Sequence, residues 1–114
     1  MTLDAFKQKL QNTPKSIVFS DTVDTIESNY IFTPTAFKNG EVYNKSGENS
    51  GSCKLFAFAK LQGFTKEETL SCFGQFYYID VLGDPNGDGH QNIRNFMNTG
   101  FEGLQFEGEP LKLK

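Results

Sequence analysis

Apolar side chains recur along the chain with two alternating periods. Leu3, Phe6 and Leu10 fall at i, i+3 and i+7, the stripe of a helix over residues 2–12, with Thr2 placed to cap it and Pro14 to end it. Phe19, Val23, Ile26 and Tyr30 repeat the spacing and predict a second helix from about Ser16 to Tyr30. The period then shortens. Thr35 to Tyr43 reads as a β-hairpin turning at Asn39-Gly40, a pairing of Asn and Gly that suits a tight turn. A loop at those two residues sets Lys38 opposite Glu41 and Phe37 opposite Val42. Asn44 to Ser52 is small and polar, a loop. Cys53 to Leu61 is apolar almost all round, the mark of a helix covered on most sides, and Gly63 closes it. Thr65-Lys66-Glu67-Glu68 is a capping box opening a fourth helix, which carries Leu70, Phe73, Phe76 and Tyr77 as far as Val81 or Leu82. Gly83 to Gly89 is turn-rich. A fifth helix holds Ile93, Phe96 and Met97 and stops at Gly100. Leu104 to Glu107 alternates and reads as a third strand on the hairpin, and the tail from Glu109 is expected to fray. Helices and strands are segregated. The expected fold is α+β, about five helices on a three-stranded antiparallel sheet, in a single domain over residues 1–114.

The composition narrows the function classes. A chain of 114 residues supports one core, and its apolar supply is aromatic: 12 Phe and 4 Tyr with no Trp. Net charge is -3, and Arg94 is the only Arg among scattered lysines. With no basic cluster to neutralise phosphates, neither nucleic acid nor an anionic membrane is an expected partner. No apolar run spans a bilayer, and no basic region leads into an apolar one at the N-terminus, so a cytoplasmic protein is expected; a monomer is the expected state. Cys53 and Cys72 are expected to be buried free thiols.

Four constellations could carry chemistry. Asp84-Pro85-Asn86-Gly87-Asp88-Gly89 matches the first half of a calcium-binding EF-hand loop, with Asp84, Asn86 and Asp88 at the ligand spacing. The closing twelfth position is Asn95 rather than Glu, so the plainer reading is a turn, with Asp88 capping the fifth helix. Gly47 to Lys54 leads small residues into a helix start, where free amides favour anions. Asn49, Ser50 and Ser52 are the ligand candidates there, although Ser50 or Ser52 also suits a plain N-cap. Cys53, in a first helical turn, could pair with His90, the only His, as nucleophile and base. Buried structural Cys is the commoner fate. Finally, His90 and Arg94 are four residues apart, beside Gln91 and Asn95 at the same spacing. An Arg fork suits a carboxylate or phosphate, or else loop carbonyls.

Three strings together resemble the HopJ type III effector family: Tyr30 to Phe37, Asn49 to Ala59, and His90 to Met97. The resemblance covers nearly the whole chain. It implies a bacterial protein related to effectors delivered by type III secretion into a host cell. It implies no activity, cofactor or catalytic residue. The leading expectation is therefore a non-enzymatic module binding a small molecule or a protein through His90, Gln91, Arg94, Asn49, Ser50 and Ser52, with no cofactor. The competing expectations are a cysteine hydrolase or transferase using Cys53 and His90, and a weak calcium-binding protein.

Overall fold

The computed structural model describes all residues, 1–114. Its elements are α1 (Leu3–Asn12), α2 (Phe19–Asn29), β1 (Tyr30–Phe32), β2 (Phe37–Asn39), β3 (Val42–Asn44), α3 (Ser50–Gln62), α4 (Lys66–Ser71), a π-helical turn (Phe76–Val81), α5 (Gln91–Thr99), β4 (Leu104–Phe106) and β5 (Leu111–Leu113). The α+β class stands. No helix is long and apolar enough to cross a membrane.

The core is organised round α3. Residues two apart on a helix point to nearly opposite sides, and α3 uses both. Phe56 meets Phe37, Phe73 and Phe96 at ring distances of 6.3, 5.4 and 4.9 Å. Phe58 meets Phe6, Tyr30 and Phe64 at 5.8, 6.0 and 5.6 Å on the other side. This is why the helix is apolar all round. Both rings are fully buried. Such aromatic pairs add about 0.5–1.5 kcal/mol each beyond area burial. Gly63 ends α3 in the left-handed conformation, and Thr65 and Glu68 form the expected capping box at α4.

Antiparallel pairing runs in one register along residues 30–39 and 104–113. β1 pairs with β5 (Tyr30 opposite Leu113) and β2 with β4 (Phe37 opposite Phe106). Between them the Thr33 N–H donates to the Pro110 carbonyl and the Glu107 N–H to the Ala36 carbonyl. The two small sheets are thus one ribbon interrupted where Pro34 and Pro110 cannot donate. β3 extends it at one end, giving the expected three-stranded sheet in the order β3-β2-β4.

Several boundaries differ from the periodicity reading. The tail does not fray: β5 pairs with β1, and Leu111 is buried. Alternation over three residues next to Pro110 is too short to register as a strand. The second helix begins at Phe19, after a 3-10 turn at Pro14–Ser16, and gives way to β1 at Tyr30. The fourth helix breaks after Ser71. Gly74 has φ +59°, and a Cβ there would lie 2.7 Å from the Ile17 carbonyl and the Phe19 amide nitrogen. Close approach of the α2 entrance therefore requires glycine in the middle of an apolar stripe. The hairpin turns at Gly40-Glu41, with Asn39 opposite Val42, Lys38 opposite Tyr43 and Phe37 opposite Asn44. Gly40 takes φ +61° at the first loop position, as a Gly-first two-residue turn requires. The expected Lys38–Glu41 and Phe37–Val42 pairs do not form, because Asn39 is fully buried and belongs to the strand.

Removal of residues 111–114 is expected to lower stability by about 2 kcal/mol or more, the cost of exposing Leu111 and the strand it covers. Urea unfolding of the truncated chain checks this. A frayed tail would leave the midpoint unchanged.

Candidate functional site

A group of buried amides links the hairpin to α5. Asn39 Nδ2 donates to the Asn92 carbonyl (2.8 Å) and to Asn92 Oδ1 (3.0 Å). Asn44 Nδ2 donates to Asn92 Oδ1 (3.2 Å), and Asn92 Nδ2 returns a bond to Asn44 Oδ1 (3.0 Å). Asn49 Nδ2 donates to the same Asn44 oxygen at 2.7 Å. Asn39, Asn44 and Asn92 are all buried. Asn39 Oδ1 alone lacks a partner among the buried side-chain polar atoms. Nothing in composition or spacing marks these four as a set. The one signal was the density of Asn round the hairpin and the start of the fifth helix.

The amides hold the entrances of α3 and α5 side by side. Asn49 precedes α3 at φ 50°, ψ 46°, and His90 precedes α5 at φ 55°, ψ 53°. They are the only non-glycine residues in the chain with positive φ. Neither helix has a side-chain cap, so the expected caps at Ser50 or Ser52 and at Asp88 do not form. The left-handed turn at each entrance carries the preceding side chains away from the first amides.

Both left-handed residues line one open cavity of about 390 Å³. Its polar side is Asn49, Ser52, His90, Gln91 and Asn92. Its apolar side is Phe19, Phe73, Phe76, Val42 and Ile93. Phe73 stacks on Phe19 (6.2 Å, 8°), Phe19 meets Phe76 (5.0 Å), and Phe76 stacks on the His90 ring (5.2 Å, 27°), a ladder of four rings along the wall. The Phe19 amide is held by Gln75 Oε1 at 3.0 Å. His90 Nε2 lies 3.0 Å from Asp80 Oδ2. A carboxylate only accepts, so Nε2 carries the hydrogen, and in the neutral ring Nδ1 is left as the open position. Phe76 and Asp80 both come from the π-helical turn, a geometry common at functional sites.

The other candidates lie elsewhere. Arg94 does not join His90. Its Nε and Nη1 donate to the carbonyls of Gly89 and Pro85, and its guanidinium lines a separate hollow with Leu82, Pro85 and Met97. His90 is bent out of the helix into the left-handed region, which separates the two faces that a regular helix would align. Ser50 closes a turn on the Gly47 carbonyl (3.4 Å). Gln91 Nε2 donates to the Asp88 carbonyl. Cys53 is buried, and its Sγ contacts the Thr35 carbonyl at 3.5 Å, while His90 faces Asp80, so the two are not hydrogen-bonded to each other. Burial pushes the Cys53 thiol up to about 11 and raises Cys72 as well. Asp84 to Gly87 is a tight turn, with the Gly87 N–H on the Asp84 carbonyl at 3.0 Å. No group of three or more His, Cys, Asp or Glu side chains able to hold a metal forms.

Fold and site together define a small α+β domain with a ring-walled cavity between two helix entrances. The chain belongs to the HopJ type III effector protein family, whose sequence profile matches residues 3–111. It is also similar to VPA0580, a protein of unknown function whose crystal structure superposes with a TM-score of 0.98 at 53% identity, over 100% of this chain and 95% of that one. No curated protein matches the chain.

At positions 49 and 90, glycine is expected to be tolerated better than alanine by about 1 kcal/mol, since only alanine keeps a Cβ in the left-handed region. Urea unfolding of the four variants measures this, and the reverse order would remove the backbone argument. The thiols give a second expectation. Because the fold holds the Cys53 proton more tightly than the unfolded chain does, its stabilising contribution is complete below the ordinary value of 9.0. It is lost as pH rises from there through about 11. Iodoacetamide should leave Cys53 unmodified in the folded protein at neutral pH. Rapid labelling at that pH would contradict the buried-thiol assignment.

Proposed function

We propose that this HopJ-like domain is a non-enzymatic binding module whose cavity takes a small, flat molecule bearing an anionic or acceptor group. One observation carries the reading: Asn49 and His90, the only two non-glycine residues at positive φ, line the same cavity. Such conformations cost on the order of 1–3 kcal/mol and tend to gather at functional sites. The ring ladder suits a planar ligand face. The uncapped entrances of α3 and α5 present open amides and the positive ends of two helix dipoles to an acceptor group. The Ser52 hydroxyl supplies a directional donor to that group, and His90 Nδ1, an acceptor in the neutral ring, suits a donor elsewhere on the ligand. A volume of about 390 Å³ fits a one- or two-ring molecule. The effector label of the family makes a host metabolite one source of such a ligand and a bacterial metabolite the other, and the chemistry recognised is the same.

The test is an amide NMR titration with benzoate, with inorganic phosphate, and with the low-molecular-weight fraction of a cell extract. Shifts should cluster on Asn49 to Ser52 and His90 to Asn92, with benzoate binding more tightly than phosphate. Ser52→Leu, which fills the cavity from a half-buried position, should abolish them while the rest of the spectrum stays folded. Shifts that avoid this cluster, or none with benzoate and the extract, would end the proposal.

A further inference from the structure

The ribbon has a second consequence, independent of the cavity between the helix entrances. In an antiparallel pair, alternate residues turn their N–H and C=O groups toward the partner strand and the next ones away from it. The Lys114 N–H donates to the Asn29 carbonyl and the Thr33 N–H to the Pro110 carbonyl. By alternation, Lys112 faces Ile31, and Leu111 and Leu113 turn their backbone groups outward. At the other end, the Gly40 N–H donates to the Gly103 carbonyl and the Glu107 N–H to the Ala36 carbonyl, so Phe106 also faces outward. Neither sheet has a further strand beyond β4 or β5. The whole 104–113 segment is therefore an edge.

That edge overlooks a groove of about 640 Å³ between it and α3. The floor is Ala57, Leu61, Phe106 and Leu111, with Leu113 at the mouth. Leu61 is 58% and Leu113 72% exposed, an unusual state for two neighbouring leucines on one groove. Edges are commonly protected by proline and lysine, and both occur here. Pro110, however, removes an N–H only at the kink, and Lys112 has its backbone paired inward. Open hydrogen-bonding groups thus remain beside an apolar floor. The ionic rim of the groove is Lys60, Lys112 and Glu109, two cations to one anion in a chain of net charge -3.

We infer that this groove binds a short extended segment of a partner protein, added as a strand beside β5, with apolar residues at alternate positions and acidic residues between them. The outward groups of Leu111 and Leu113 supply main-chain hydrogen bonds, and Leu61, Ala57 and Phe106 receive every second side chain. Lys60 and Lys112 select acidic over basic segments, since like charges at an interface suppress wrong partners.

The test uses acetyl-Asp-Val-Glu-Val-Asp-amide titrated into the labelled full chain. Expected are amide shifts at Phe106, Leu111 to Leu113 and Lys60, with slowed hydrogen exchange at the Leu111 and Leu113 amides. Leu113→Pro removes one outward donor that the fold does not use, and Leu61→Arg blocks the floor from an exposed position. Each should weaken binding about tenfold or more, roughly the loss of one well-made contact, with the folded spectrum retained. A peptide with lysine at the acidic positions should bind weaker by a similar factor. Equal binding of the lysine peptide, shifts confined to other residues, or a stable dimer that the peptide does not dissociate would overturn the proposal, the last by assigning the groove to a second copy of the chain.

Discussion

The hydrogen bonds that Asn92 receives from Asn39 and Asn44 in the interior are the constraint on which the rest of the site depends. An amide buried without a partner costs about 1–3 kcal/mol, so these side chains must find one another or the hairpin and α5 cannot close together. That requirement explains the hairpin register. An Asn-Gly pair in the loop would bring Asn39 to solvent, whereas the observed turn keeps it in β2 and moves the loop to Gly40-Glu41. It explains the position of α5, whose second residue is Asn92. Through Asn44 it reaches Asn49, and so the entrance of α3.

Stability and site geometry pull in different directions here. The aromatic core is made of side chains stacked round one helix and does not require the entrances to take any special form. Asn49 and His90 hold conformations that glycine would hold more cheaply, and neither helix gains a side-chain cap from them. What the arrangement provides is an opening whose floor is amide and whose wall is aromatic. The π-helical turn contributes in the same sense. It widens the helical path just where Phe76 must meet Phe19 and Asp80 must meet His90.

Much of the architecture could be read from periodicity. The apolar stripe of α1, the all-round apolar character of α3, the Thr65 capping box and the glycine stop at Gly63 are each patterns within a short stretch of chain, and each appears where local rules place it. The errors share a cause. Gly74 lies within an unbroken apolar stripe, and only the approach of Ile17 and Phe19, distant in sequence, makes it a break. The tail alternates too briefly to declare itself, and only the ribbon's register gives β5 a partner. The candidate residues divided in the same way. Asn49, Ser52, His90 and Gln91 come together at one cavity, while Arg94, on the expected face four residues from His90, lies in another hollow.

The sequence by itself determined the α+β class, the order of the five helices and the hairpin, the central helix and the likeness to the HopJ family, because propensity, capping and hydrophobic period act over short separations. It also singled out most of the polar residues of the cavity as unusual in type and place. The tertiary structure alone decided that Asn49 and His90 share a wall, that Cys53 is shut away beside Thr35, and that the edge of the 104–113 strand lies open. Those outcomes depend on which segments, distant in sequence, are brought face to face by core packing and by the need to pair buried amides, and no local pattern encodes that meeting.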